Sequence, residues 1–361
     1  MKKLLVIAVA LASVNAFATR ARVNALANSP HLIDTQTVYR NPSDMFFVGG
    51  DYATIETGLS TATSTQDGAE GMVVRSMGDA KVGFSLGHDS DNAVTLRTQG
   101  GVPLAVVTQQ NPIELSYGMK AGDMAWAATL IYSNFKDRTT TDAKEDSAGV
   151  RAGMRMGALD ADVRVGISNN ASTAAFGKFK GTLGIGARVG YAMDTMYFAA
   201  DVNMAGYRTE NAIGTETHKV DNTLIGVSAT NSHKKDGSEF FYGIGLNSVS
   251  SKDGATGVDS KITSLTLPVS MGLEVDAASW LTLRGSVKQA VLINDNKVES
   301  GSTTTVDTSP GANNTVATVG AGLKFNKINL DGSLGALSGP TSVQSLNGNN
   351  LLGQVGLTYM F

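Results

Sequence analysis

From Met45 onward, apolar and polar residues alternate with a period of two. In Leu159–Ser168, Leu159, Ala161, Val163, Val165 and Ile167 alternate with Asp160, Asp162, Arg164, Gly166 and Ser168. Thr182–Tyr191 and Ser264–Val275 repeat the arrangement, with Leu, Ile, Val, Ala, Met or Tyr at one set of positions and Gly, Ser, Thr, Pro or charge at the other. Period two marks extended strands whose faces meet different surroundings. An apolar face beside a Gly, Ser, Thr and charged face suits a membrane barrel with a wet interior. A soluble β-sandwich gives similar alternation, so the connections have to decide.

The pattern predicts strands at 44–56, 70–76, 80–88, 113–120, 122–134, 148–157, 159–168 and 182–192, then at 194–206, 219–230, 239–250, 260–275, 279–291, 315–325, 327–336 and 351–361. Short connections fall at Met77–Asp79, Ala121, Ala158, Met193, Asn231–Ser238, Asp276–Ala278 and Asn326. Between them lie long ones, at 57–69, 89–112, 135–147, 169–181, 207–218, 251–259, 292–314 and 337–350, rich in Ser, Thr, Asn, Asp and Gly. Short turns at one end, long loops at the other and an even count are the habit of outer-membrane barrels, with both termini on the periplasmic side. The expected fold is therefore all-β: a transmembrane antiparallel up-and-down β-barrel over residues 44–361, of about sixteen strands, with 14 or 18 as the neighbouring counts. The least regular stretch is 89–112, where Val102–Val107 (VPLAVV) reads as a further strand or as a loop folded into the pore.

Residues 1–18 read as a cleaved signal peptide. Lys2 and Lys3 precede the apolar run Leu4–Ala12, and Ala16 and Ala18 supply the small residues before a cut at Thr19. The run is far shorter than the ~20 residues of a spanning helix. The segment 19–43 is not strand-like. Thr19–Ala27 suggests one or two helical turns carrying Arg20 and Arg22, and Asn41-Pro42-Ser43-Asp44 is a turn leading into the first strand. Two placements stay open for it: a partial plug in the lumen, or a loose periplasmic tail.

The 361 residues include 41 Gly and no Cys, with a net charge of −3. Absence of Cys excludes a disulfide framework, a thiolate zinc site and a Cys nucleophile, and suits an exported chain. The mildly acidic balance argues against nucleic-acid binding. Trp126, Tyr191, Tyr197, Phe198, Phe240, Trp280, Phe325 and Tyr359 stand beside predicted turns, where an interfacial aromatic girdle belongs. Leu357, Tyr359 and Phe361 share one face of the last strand and resemble the terminal signal that barrels present to the assembly machinery.

Charged side chains on the lipid face would cost roughly 2–4 kcal/mol at mid-membrane, so strand charges should face the lumen. Arg151, Arg155, Arg164 and Arg188 form one basic group, Arg284, Lys288 and Lys324 a second, and Arg75, Lys81 and Lys120 add to it. Glu114, Asp160, Asp162, Asp201, Glu274 and Asp331 are the acids expected inside. They read either as a charged constriction that filters small solutes, or as Arg–carboxylate pairs bracing the wall. No enzyme constellation emerges. His31, His88, His218 and His233 are scattered without metal spacing, no Ser has a triad partner, and Gly184, Gly186 and Gly190 lack dinucleotide spacing. Asp89 and Asp91 could hold a divalent ion at the rim, but no EF-hand-like ligand series follows. No enzymatic activity, metal or cofactor is expected.

The opening of the mature chain, Ala18-Thr-Arg-Ala-Arg-Val-Asn-Ala-Leu-Ala-Asn with Leu32-Ile33-Asp34 and Val38-Tyr39-Arg40-Asn41-Pro42, resembles the start of a deltaproteobacterial outer-membrane porin family, which includes the major outer-membrane protein of Bdellovibrio-type predators. That resemblance implies an abundant pore-like protein. The Asn41-Pro42 element is also similar to one in the long-chain fatty-acid transporter family, whose members have a longer N-terminal plug and usually fourteen strands. The leading expectation is passive diffusion of small hydrophilic solutes and ions through a charged lumen. Two rivals remain: a plugged transporter of apolar ligands, and a non-conducting structural or adhesive barrel. The expected partners are outer-membrane lipid and lipopolysaccharide, the barrel-assembly machinery and small solutes, with homo-oligomerisation open and nucleic acid excluded.

Overall fold

A computed structural model describes residues 19–58, 68–137, 142–255, 258–292, 296–300, 303–307, 315–338 and 352–361. The signal-peptide expectation, with Ala16 and Ala18, lies outside these residues, as do the loops at 59–67 and 339–351.

Among the described residues, nineteen strand segments make one antiparallel sheet. In chain order they are β1 (Tyr52–Gly58), β2 (Gly68–Met77), β3 (Ala80–Leu86), β4 (Ile113–Ala121), β5 (Met124–Lys136), β6 (Lys144–Met156) and β7 (Leu159–Thr173). Then come β8 (Gly177–Gly181), β9 (Gly184–Met193), β10 (Met196–Glu210), β11 (Glu216–Lys235), β12 (Ser238–Ala255) and β13 (Val258–Ala278). The last are β14 (Leu281–Leu292), β15 (Asn296–Ser300), β16 (Thr303–Asp307), β17 (Thr315–Phe325), β18 (Ile328–Ser338) and β19 (Leu352–Met360). Segments β8 and β9 both lie between β7 and β10 and form one wall strand. In the same way β14 continues as β15, and β16 as β17. Three such joins reduce nineteen segments to sixteen wall strands. Pairing of β1 with both β2 and β19, the latter from Tyr52↔Met360 to Gly58↔Gln354, closes the cylinder.

Alternation decides which face each residue takes. On β5, Leu130 is 62% exposed while its neighbour Thr129 is 1% exposed. Leu115, Ile185, Val189, Ile244, Val319 and Val355 share the outer face of Leu130. A closed sheet with an apolar exterior leaves no unpaired strand edge in lipid. This architecture places the protein in the outer membrane as a multi-pass β-barrel.

Seven tight turns join strands at one end. Hairpin turns of this kind need positive φ, supplied by Gly at Gly78 (67°) and by Asp or Asn at Asp194 (53°) and Asn326 (52°). At the other end the strands run further than expected. Much of the predicted loops 169–181, 207–218, 251–259 and 292–314 is strand, and β13 alone has 21 residues, about twice what a membrane crossing requires. Ser, Thr and Lys there read as loop, yet strand pairing continues above the lipid because water-exposed backbone still pairs.

Two other expectations are corrected, and one open alternative is decided. The first strand begins at Tyr52, not 44, because Pro42–Phe46 forms a buried 3₁₀ turn in which the Asn41 side chain accepts from the Ser43 backbone N–H at 3.1 Å. Val102–Val107 takes the second of its two readings, a loop folded into the pore: Asp91–Gln99 (α2) and Leu104–Val107 (α3) fold the β3–β4 loop inward. Tyr197 belongs to the lumen rather than the girdle, with its hydroxyl donating to Asp160 at 2.7 Å.

Candidate functional site: a lumen closed at its turn end

The segment Thr19–Asp51 crosses the barrel interior. Its helix α1 (Arg20–Ala25) lies on β17–β19: Thr19 sits over Gly356, and Ala25 stands 2.8 Å from where a Cβ on Gly320 would be. The 3₁₀ turn Pro42–Phe46 reaches the opposite wall, with Asn41 over Gly153 and Met45 over Gly118. Glycine at these wall positions makes room for the crossing chain. Beneath the segment, Val38, Tyr39, Met45, Val48, Tyr52, Met72, Val74 and Ala127 pack as one apolar cluster.

Most wall charges are engaged by this segment or by one another. The Arg22 guanidinium donates to Glu274 at 2.7 and 3.0 Å and to Asp34 at 3.2 Å. Glu274 also accepts from Arg284 at 2.5 Å, and Arg284 reaches Asp331 at 2.5 Å. Arg20 pairs with Glu70 at 2.5 Å, its backbone N–H donates to Glu56 at 2.6 Å, and His31 lies 2.8 Å from Glu239. Arg155 bridges Asp44 at 2.5 Å and Asp160 at 3.4 Å. Arg188 holds Asp160 at 3.0 Å and Asp162 at 3.2 Å, and Lys81 Nζ donates to the Met45 and Gly50 carbonyls at 2.8 and 2.7 Å. Buried charges persist when paired this closely, and breaking one pair strands its partner. Burial pushes the Asp34 carboxyl up to about 6, outweighing the opposing pull of Arg22. Burial, with Arg188 close by, lowers Arg40, whose Nε and Nη2 have no acceptor among the described residues.

The remaining site residues sort by position. Arg151 pairs with Glu114 at 2.9 Å in the wall, and Lys324 with Asp276 at 2.9 Å at the turn-end rim. Lys120 stands 5.2 Å from the Phe47 ring at the same rim. Arg164, Asp201 and Lys288 face the lumen and retain exposure. Arg75 does not line the pore. Met72 and Val74 take the inward positions of β2, so Arg75 points outward, 3.3 Å from Asp51 and 4.8 Å from the Phe361 ring. Leu357, Tyr359 and Phe361 share that outer face.

The folded-in β3–β4 loop covers the inner wall of β6–β11 at the loop end. Arg97, fully buried, donates to Glu145 at 2.9 Å, to Asn169 at 2.8 Å and to the Val106 carbonyl at 3.2 Å. Leu96, Val102 and Val106 pack on Phe179, Tyr207 and Val220. His88 stacks on Tyr39 at 3.6 Å and joins this loop to the N-terminal segment. A cavity of about 90 Å³ lies between them, lined by Gln109, Ser147, Arg164 and Asn169 among others. On β10–β14 the loop-end inward positions Asp201, Asn247, Thr266, Ser270 and Lys288 keep solvent contact and form a vestibule.

The roles of Arg20, Arg22, His31, Asp34, Asp44 and Arg97 as wall partners escape strand-by-strand reading. One signal lies in the strand register: Glu56 is directly opposite Glu70, and Glu239 directly opposite Glu274, and like charges facing each other call for further cations.

No family model and no curated protein matches the chain. Among solved structures it is similar to the Pseudomonas putida toluene transporter TodX, at 12% identity and TM-score 0.42 over 96% of this chain and 98% of that one. It is similar to the CymD monoaromatic hydrocarbon channel at 11% identity and TM-score 0.44, over 94% and 97%. It is also similar to a porin refined at 1.8 Å, at 8% identity and TM-score 0.43, over 86% and 99%. Likeness at this level does not extend to solute or mechanism.

Proposed function

We propose that the protein is a gated outer-membrane channel for small hydrophilic solutes, with the N-terminal segment as its gate. One observation carries the reading: every wall strand contributes a buried inward residue near the turn end. Thr54, Met72, Lys81, Asp160, Tyr197, Phe241, Arg284 and Thr358 are each below 9% exposure around that circle. Solute that enters the vestibule therefore meets a filled lumen, and passage requires Thr19–Asp51 to shift. Hydroxyl and amide groups at Asn247, Thr266 and Ser270 favour a hydrophilic solute over an apolar one. The packed cluster beneath the segment leaves little room for an apolar ligand. The resemblance of the first mature residues to the deltaproteobacterial porin family agrees with a channel role.

Planar-bilayer recording tests the proposal. The wild-type barrel should be closed for most of the record. Arg22→Ala removes a buried clasp worth about 3–5 kcal/mol and should raise open probability at least tenfold. Steady wide-pore conductance in the wild type, or silence in both proteins, would overturn the reading.

A further inference from the structure

The apolar outer band ends at the loop end along a basic row on β8–β13; a smaller outward pair, Lys136 opposite Lys144, stands on β5–β6, with Asp142 2.8 Å from Lys144. Outward residues of β10 run Phe198, Ala200, Val202 and Met204 before Arg208. On β11, Val227 and Ile225 give way to Asp221 and Lys219, and on β12, Ile244 and Leu246 give way to Lys252. At about 3.3 Å per residue and a tilt near 40°, Arg208 stands about 30 Å above the turn before Met196, level with the top of a ~25 Å lipid-facing band. Across the barrel, outward residues near the loop end are uncharged: Thr57, Ala69, Leu86 and Ile113.

Within the row, strand register sets like charges side by side. Lys180 is opposite Arg208, Arg208 is opposite Lys219, and Lys252 is opposite Lys261. Direct cross-strand pairs of like charge destabilise a sheet. Acids on this face relieve only part of the repulsion. Glu210 holds Lys180 at 2.6 Å and Lys178 at 3.9 Å, Glu216 lies 4.0 Å from Arg208, Asp221 is opposite Lys252, and Glu299 is opposite Lys261, which leaves Lys180, Arg208 and Lys219 as the most crowded cations. Lys180 and Arg208 remain 53% and 51% exposed. A clustered, outward, solvated set of cations at headgroup height is stable when anions sit on it.

We propose that this row is a binding site for the phosphate groups of an outer-leaflet glycolipid, the lipid A portion of lipopolysaccharide. Acyl chains would lie on the apolar band beneath Arg208 and Lys219, and the phosphates would bridge cations that otherwise repel one another. The apolar band directly below the row is what favours a lipid over a soluble anion.

The full chain folded in detergent is titrated with bisphosphorylated lipid A, with the same lipid stripped of phosphate, and with inorganic pyrophosphate. Heat-modifiable gel migration verifies folding of each variant. Arg208→Gln, Lys219→Gln and Lys252→Gln should each weaken lipid A binding about fivefold, and the triple variant about a hundredfold. Lys327→Gln, at the opposite end of the barrel, should leave it unchanged. The stripped lipid should bind wild type as poorly as lipid A binds the triple variant. Equal lipid A binding by wild type and variants, or undiminished binding of the stripped lipid, would overturn the proposal. Pyrophosphate binding as tight as lipid A would overturn the lipid assignment. The single variants decide the question if the triple variant does not fold.

Discussion

Two residues show how much single side chains contribute to the closed state. Arg97 and Glu145 are both fully buried, and Glu145 also accepts from Ser133 at 2.5 Å and from the Gln110 backbone N–H at 3.1 Å. Glu145→Ala leaves Arg97 charged without its acid, so the folded-in loop should loosen by about 3–5 kcal/mol. Limited proteolysis should then cut between Asp89 and Gln110, where the wild type resists. Gly153 is a packing case. A Cβ there would fall 1.9 Å from Asn41 Oδ1, so Gly153→Val should push Asn41–Pro42 off the β6 wall and raise open probability in bilayer recordings. Arg75 and Tyr197 mark where single-residue reading fails. Chemistry alone puts a charged residue inward and an aromatic outward, whereas the pleat fixes the face, and Arg75 is stable outside because it lies at the aqueous rim beside Asp51.

Strands and turns were legible because lipid and water impose opposite demands on alternate residues, and because tight hairpins require the Gly, Asp and Asn found at Gly78, Asp194 and Asn326. The N-terminal segment was not, since its contacts, such as Arg22 with Glu274, join residues 252 positions apart and follow no period. Its electrostatics make a prediction at this scale. Burial holds the carboxyls of Asp34 in the segment and Asp89 in the inward loop at about 6, above their ordinary 3.8. A raised carboxyl binds its proton more tightly in the docked state. It therefore favours docking fully below about 4, and that contribution is lost as pH rises through about 6. Open probability should thus be lower at pH 5 than at pH 7. Asp34→Asn should flatten part of that dependence, and a dependence of opposite sign in the wild type would contradict the electrostatic account.

For the molecule as a whole, the central matter is that one chain supplies both the cylinder and the body inside it. Sixteen strands closed through β1 and β19 are held by a continuous hydrogen-bond ladder, whereas the inner segment is held by discrete ion pairs and two apolar clusters, the second joining Leu26 and Leu32 to Phe241. The two should therefore differ in how readily they move, with the segment shifting inside a wall that stays intact. A covalent tether separates this from opening by deformation of the wall. The chain has no Cys, so an introduced pair has no competing thiol. Ala25 on α1 and Gly320 on β17 are close, their Cβ positions 2.8 Å apart as built and within a small adjustment of the 3.5–4.5 Å of a disulfide. Ala25→Cys with Gly320→Cys should be closed when oxidised and should regain wild-type openings on addition of reductant in the same bilayer. Openings of the oxidised protein as frequent as those of the reduced one would mean that α1 does not move during gating. The passage would then have to lie between the Pro42–Phe46 turn and the β4–β6 wall, where Arg155 and Asp44 form an ionic clasp.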